Sequence, residues 1–258
     1  MLDFAIELAY QAGALLRAGL EREHQIELKG TIDLVTDVDH ASEALLVQAI
    51  RSRYPDHSIV AEEGNTTSGT SDYTWLIDPL DGTTNYTHGY PCFCVSLGLW
   101  YANQPFLGVV YDPLRNELFY AQRGHGAYCN GRRLHVSSTA TLGAALLSTG
   151  FPYDRATQPD NNIAEFSRMI LQIQGVRRSG SAALDLCYVA AGWSDGHWET
   201  GLHPWDTAAG VLLVAEAGGQ VSDWHGQEWT GKVPHLVASN RRLHTDMLKV
   251  IAPAPSQY

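Results

Sequence analysis

Five short runs rich in β-branched and aromatic residues follow one another between Ser58 and Gln122: "SIVAEE", "YTWLIDP", "FCVSLGLWY", "PFLGVVYD" and "NELFYAQ". The dipeptides Asn103-Gln104 and Asn116-Glu117 interrupt the later runs, so the segment reads as antiparallel strands joined by hairpins. Ahead of it, residues 2–22 carry apolar side chains at helical spacing (Phe4, Leu8, Ala12, Leu15, Leu16), the mark of an amphipathic opening helix. A second helical pattern runs from about His40 to Arg53, with Asp39 placed as its N-cap. From about Thr139 the rhythm changes to alternating strands and helices: "AALLSTG", a helix near 162–172, "GVRRSGS", a helix near 182–191, "DGHWE", a helix near 206–217, "HLVAS" and a final helix. That alternation implies α/β layering. The expectation is one layered unit over 1–258, an α+β half (about 1–139) joined to an α/β half (about 140–258) at a seam near residue 140.

Charge narrows the function. With 28 Asp+Glu against 17 Lys+Arg and a formal net charge of −11, the chain lacks the clustered cations that non-specific nucleic-acid or membrane binding needs. No basic stripe with interleaved aromatics speaks for direct RNA binding. An acidic protein that binds an anion must find positive charge elsewhere. The opening residues are interrupted by Asp3, Glu7 and Arg17, so they do not form a signal peptide, and no apolar run approaches a membrane span. The 4 cysteines have no CxxC spacing; Cys92 and Cys94 would share one strand face as buried thiols, and the cytoplasm is the expected location.

The stretch "WLIDPLDGTTNY" sets Asp78 and Asp81 around Pro79, then follows them with a glycine and two threonines. Proline biases Asp78 toward extended backbone, which predicts a strand ending there, and Asp81-Gly82-Thr83 has the composition of a turn opening a helix. Both carboxylates can then face one point. Oxygen ligands of this kind suit a hard cation, Mg²⁺ or Mn²⁺, rather than zinc. Amides of Gly82, Thr83 and Thr84 at a helix start favour an anion. A cation between acids and phosphate reconciles the two features, although these residues alone are equally legible as a helix-capping turn. Further acids stand at element ends: Glu62-Glu63 in "VAEEG", Asp33, Asp37 and Asp39 in "DLVTDVD", and Asp206 opening an apolar helical run in "HPWDTAAG".

"WLIDPLDGTTNYTH" resembles the first signature of the inositol monophosphatase family and "WDTAAGVLLVAEAGG" (Trp205–Gly219) the second, with "DLVTDVD", "AEEG" and "RSGSAALDLCYVAAG" (Arg178–Gly192) matching the intervening blocks in order. The resemblance spans nearly the whole chain. It implies an alternating α-β-α-β-α sandwich and a lithium-sensitive phosphoric monoester hydrolase, commonly dimeric, using two or three Mg²⁺. It also implies metal ligands at Glu62, Asp78, the carbonyl of Leu80, Asp81 and Asp206. In the same carry-over Thr83 helps hold the attacking water, Asp39 hydrogen-bonds that threonine, and no phosphoenzyme forms. Where the family reads "GEE", this chain has Ala61-Glu62-Glu63, which changes no side-chain ligand.

The family's substrate-contacting block falls on Gly180, Ser181 and Ala182, and its hydroxyl-binding glutamate on Glu199; Asp81, Gly82, Thr83 and Asp206 complete the implied substrate contacts. A helix cap without substrate contact is the alternative for Gly180 and Ser181. The resemblance implies inositol 1-phosphate as substrate, with histidinol phosphate the nearest rival and fructose 1,6-bisphosphate or NADP behind it. A regulatory binding role beside catalysis, of the kind some bacterial relatives have in transcription complexes, stays open. "GHGAYCNG" precedes hairpin-like sequence, so Asn130-Gly131 reads as a turn rather than as part of a dinucleotide loop. His197 and His203 lack a matching ligand pair and read as surface or supporting residues.

Overall fold

The computed structural model describes residues 1–20, 26–28 and 33–252. Helix α1 (Leu2–Gly19) buries Ala5, Leu8, Ala9, Ala12 and Leu16 along one stripe, as its spacing dictates. It closes at Leu20; the expected continuation to 22 lies outside the described residues. Strands β1 (Ile26–Leu28) and β2 (Leu34–Thr36) form a small antiparallel pair. Helix α2 (Asp37–Arg53) begins three residues before the expected start, because Thr36 rather than Asp39 is its N-cap. The Thr36 hydroxyl accepts from the amides of Val38 and Asp39, while the Asp39 carboxylate accepts from the Thr36 amide. This reciprocal pairing is a capping box.

The next elements are β3 (Ser58–Ala61), β4 (Tyr73–Asp81), α3 (Thr83–Thr87), β5 (Cys94–Tyr101), β6 (Gln104–Asp112), β7 (Glu117–Gln122), β8 (Ala127–Cys129) and β9 (Arg132–Arg133). Their strands form a seven-stranded sheet in chain order, antiparallel except for the parallel β3–β4 pair. The β5–β6 hairpin turns on Ala102-Asn103, both at positive φ, one residue earlier than the expected Asn103-Gln104. Asn130 and Gly131 make the expected two-residue turn with φ of 47° and 79°.

The remaining elements are β10 (Leu146–Thr149), α4 (Ile163–Met169), β11 (Gly175–Arg177), α5 (Ala182–Ala190), β12 (Gly196–Glu199), α6 (Pro204–Glu216), β13 (Gln220–Ser222), β14 (Leu236–Ser239) and α7 (His244–Ile251). A second sheet has the order β11-β10-β12-β14-β13, parallel among the first three strands and antiparallel beyond. Strand β13, in "GQVSD", adds an edge strand that the alternating pattern does not mark, since only three of its residues pair with β14.

Three apolar cores stack these parts. Trp75, Ile77, Leu97, Leu99 and Val109 bury one sheet face against α1 and α2. Leu76, Cys94, Val110 and Phe119 bury the other against α5 and α6. The second sheet packs Leu147, Trp198 and Val237 against Met169 of α4 and Leu243, Met247 and Val250 at α7. The layers therefore run α-β-α-β-α. Gly98 and Gly108 let α6 settle on the large sheet: a Cβ at Gly98 would stand 2.5 Å from Ala208 Cβ, and one at Gly108 would stand 2.7 Å from the Ala209 carbonyl. Among the described residues no helix is long and apolar enough to cross a membrane.

Candidate active site

A regular strand would send side chains three positions apart to opposite faces. Asp78 pairs with Ser96, yet Asp81 pairs with Cys94, so β4 spends one more residue than β5 over the same span. This bulge around Pro79-Leu80 turns Asp81 onto the face that Asp78 already shares with Leu76, toward α5 and α6. The strand thus continues through Asp81 instead of ending at Asp78, because the bulge absorbs the proline.

Helix α2 supports the bulge from beneath. Asp39, Ser42 and Glu43, spaced to share one helix face, are all fully buried. Ser42 donates to the Pro79 carbonyl at 2.9 Å, and the second Asp39 oxygen accepts from the Thr83 hydroxyl at 2.9 Å. Glu43 accepts from the amides of Glu63 and Asn65 and from the Asn65 side chain, fixing the loop that follows Glu62. Nothing in the sequence singled out Ser42 or Glu43.

One cavity of about 270 Å³ collects the candidate residues. Glu62, Asp78, Leu80, Asp81, Gly82, Thr83, Gly180, Ser181, Ala182, Glu199 and Asp206 all line it, with Asp33, Tyr153, Arg178, Asp185, His203 and Trp205 beside them. Asp39 lies below the wall and reaches it through Thr83. Glu63 and Asp37 are not among the lining residues.

Seven acidic side chains thus face Arg178 and His203. Burial first, then the charges of Glu62, Asp81 and Asp206, push the Asp78 carboxyl well above the usual carboxylate range. Asp206 is raised by burial and then by Glu62. Burial pushes Asp81 up to about 6 against the hydrogen bonds of Ser181 and Ala183 that oppose it. Asp39 is raised by burial despite its hydrogen bonds to Thr36 and Thr83.

Three of these acids also accept hydrogen bonds from protein donors. Asp81 Oδ2 accepts from Ser181 Oγ at 2.6 Å and the Ala183 amide at 2.8 Å, Asp78 Oδ1 from the Leu80 amide at 3.0 Å, and Asp206 Oδ2 from the His203 amide at 2.7 Å. Among the described residues no three acids are drawn into the spacing that would grip an ion. Each of the three instead uses one oxygen on a protein donor. The donor set nevertheless fits a hard divalent cation: it is all oxygen, carries a large surplus of negative charge, and is mutually repelling without a counter-ion.

Two expectations change in detail. Helix α3 has only five residues, so its contribution is local amides rather than a long helix dipole. Those of Gly82, Thr83 and Thr84 meet no backbone acceptor among the described residues. Ser181 is the N-cap of α5, accepting from the Leu184 amide while donating to Asp81, so its hydroxyl is committed to holding a carboxylate. Gly180 has φ +88°, a conformation that strains any other residue, and a Cβ there would stand 2.8 Å from both Arg178 Nη1 and Asn85 Nδ2. Asn85 ties α3 to this loop by donating to the Cys92 and Ser179 carbonyls.

A model of the inositol monophosphatase family matches residues 1–255. An inositol-1-monophosphatase of Synechocystis is 45% identical over 100% of this chain and 90% of its own length. A protein of Pseudomonas aeruginosa named Nus factor SuhB is 46% identical over 98% of this chain and 96% of its own. The solved structure of an inositol monophosphatase from Anabaena superposes with a TM-score of 0.90 at 46% identity, covering 99% of this chain and 96% of that one.

Proposed function

The chain belongs to the inositol monophosphatase family of phosphoric monoester hydrolases, and from that premise we propose that it hydrolyses inositol 1-phosphate in the acid-lined cavity with Mg²⁺. The observation that carries this reading is the surplus of acids in a cavity that must admit a phosphate. Glu62, Asp78, the Leu80 carbonyl, Asp81 and Asp206 would hold two or three ions. When bound, Mg²⁺ supplies the positive charge that phosphate oxygens need and acidifies a water.

The chain's own groups do the rest. Thr83 Oγ lies 2.9 Å from Asp39 and 3.1 Å from the Leu80 carbonyl. Its single proton goes to the charged acceptor, the stronger bond. That leaves the threonine oxygen as an acceptor that aims a water and frees the Leu80 carbonyl for a cation. Glu62 accepts the water's proton as the water oxygen bonds to phosphorus and the ester P–O bond breaks. The departing alkoxide takes a proton from a solvent water and leaves as the alcohol, and Glu62 returns its proton to the hydroxide so formed. Amides of Gly82, Thr83 and Thr84 donate to phosphate oxygens, and Glu199 accepts from a substrate hydroxyl.

The test is a phosphate-release panel with and without EDTA across inositol 1-phosphate, histidinol phosphate, fructose 1,6-bisphosphate and NADP. The reading expects Mg²⁺-dependent turnover with inositol 1-phosphate preferred. A preference for histidinol phosphate would replace the substrate, and turnover indifferent to EDTA would remove the metal. A regulatory binding role beside catalysis is the second reading, favoured by the 46% identity to the protein named Nus factor SuhB. A pull-down with and without Mg²⁺ tests it.

A further inference from the structure

His197 is fully buried in β12, two residues before Glu199 and on the same strand face. Its Nδ1 lies 3.0 Å from Ser148 Oγ on β10 and 3.8 Å from Asp185 Oδ2 on α5. Its Nε2 lies 3.3 Å from Glu199 Oε2 but is not aligned for a hydrogen bond, so that contact acts through charge. No Lys or Arg among the described residues pairs with Asp185 or Glu199. On its other side Glu199 packs over Gly150, where a Cβ would stand 1.9 Å from Oε1. Gly150 is itself fixed, its carbonyl accepting from Asn162 Nδ2 at 2.6 Å. Asn162 Oδ1 in turn accepts from the Trp198 indole at 2.8 Å.

We propose that His197 is a positioning residue: wedged under the cavity between Asp185 and Glu199, its imidazole holds the Glu199 carboxylate against Gly150 and aims it at the hydroxyl-bearing part of the substrate. The role rests on the reading that Glu199 meets a substrate hydroxyl. Two carboxylates on one cavity floor repel each other, and a side chain with freedom to leave would swing away. The imidazole removes that drive. Burial disfavours its charged form, but Glu199 and Asp185 more than offset this, and the charge of Asp81 at the end of β4 adds to them, so its basicity rises above the ordinary histidine range. Asp185, pushed up to about 7 by burial and held down by His197, shares the same proton economy. An aromatic residue would fill the volume without bridging the acids.

The experiment compares wild type with His197→Phe, His197→Gln, Glu199→Gln and the His197→Phe/Glu199→Gln pair. It reads kcat and KM on inositol 1-phosphate and on glycerol 2-phosphate, together with crystal structures of the His197 variants. The ratio of kcat/KM between the two substrates is expected to fall about tenfold in His197→Phe, mainly through KM. Adding Glu199→Gln should lower it little further, His197→Gln, which keeps a polar side chain but loses the charge, should lower it about as far as His197→Phe, and Glu199 should be displaced from Gly150 in His197→Phe. An unchanged ratio, independent multiplication of the two substitutions, or an unmoved Glu199 would overturn the proposal. Should His197→Phe fail to fold, His197→Gln carries the test: an unchanged ratio together with an unmoved Glu199 overturns it. Failure of the wild type to hydrolyse inositol 1-phosphate would instead strike the functional reading.

Discussion

Replacing Asp81 with asparagine should stabilise the metal-free protein while removing its response to Mg²⁺. Asp81 is held by Ser181 Oγ and the Ala183 amide, both on Oδ2. An asparagine carbonyl oxygen can take both bonds, so the shape survives. What changes is charge. Burial, with Glu199 and Glu62 adding to it, raises the Asp81 carboxyl from 3.8 to about 6. The native state therefore binds more protons than the unfolded chain between those pH values, and stability falls as pH rises through them. At about 1.4 kcal/mol per pH unit, the ionised side chain costs the metal-free fold about 3 kcal/mol at pH 7. The variant should recover about 1–3 kcal/mol, a rise of roughly 3–10 °C in Tm for a chain of this size. Mg²⁺ at 100 times its Kd should in turn stabilise the wild type by about 2.7 kcal/mol, and the variant much less. Thermal denaturation in EDTA and in Mg²⁺ reads both effects, so the order of the two proteins should invert or close. A variant less stable in EDTA, or one that gains as much from Mg²⁺ as the wild type, would refute the reasoning.

Three further outcomes follow from named contacts. Gly150→Ala places a methyl 1.9 Å from Glu199 Oε1, so Glu199 must move; KM for inositol 1-phosphate should rise, and overpacking should cost about 1–3 kcal/mol in urea denaturation. Asp39→Asn weakens the acceptor that orders Thr83; kcat should fall about 10²-fold with KM little changed, a pattern that an equal change in both constants would contradict. His244 sits between the Ser222 and Ser239 hydroxyls, and burial lowers it to about 4. The unfolded chain therefore binds the extra proton, and stability present above pH 6.5 should be lost as pH falls toward 4, by about 3 kcal/mol at most. Parallel stability curves for wild type and His244→Asn across that window would count against it.

The sequence made the layers legible because the rhythm of short β-rich runs and the later alternation follow directly from what each sheet face buries. It also exposed the acids of the site, since Glu62, Asp78, Asp81 and Asp206 stand at or near element ends where apolar patterning stops. Geometry between elements was less visible. The β4 bulge depends on how β5 pairs with it, and no local signal in "DPLD" reports a partner strand's register. The capping box is readable as Thr36-x-x-Asp39, but Asp39 is itself a favoured N-cap residue, and composition alone does not choose between them. Ser42 and Glu43 act through partners distant in sequence, so local pattern reads them as ordinary helix residues. Ser181 shows the opposite case: its motif marks a cavity residue, while its hydroxyl serves a carboxylate and a helix end.

Anomalous scattering from a crystal grown with Mn²⁺ in place of Mg²⁺ tests the central claim most directly, because it locates cations without reference to turnover. The account predicts at least two peaks in the cavity, each within about 2.0–2.3 Å of carboxylate oxygens drawn from Glu62, Asp78, Asp81 and Asp206, with the Leu80 carbonyl beside one of them. Peaks elsewhere, or a cavity without any peak when Mn²⁺ supports phosphate release in solution, would contradict it.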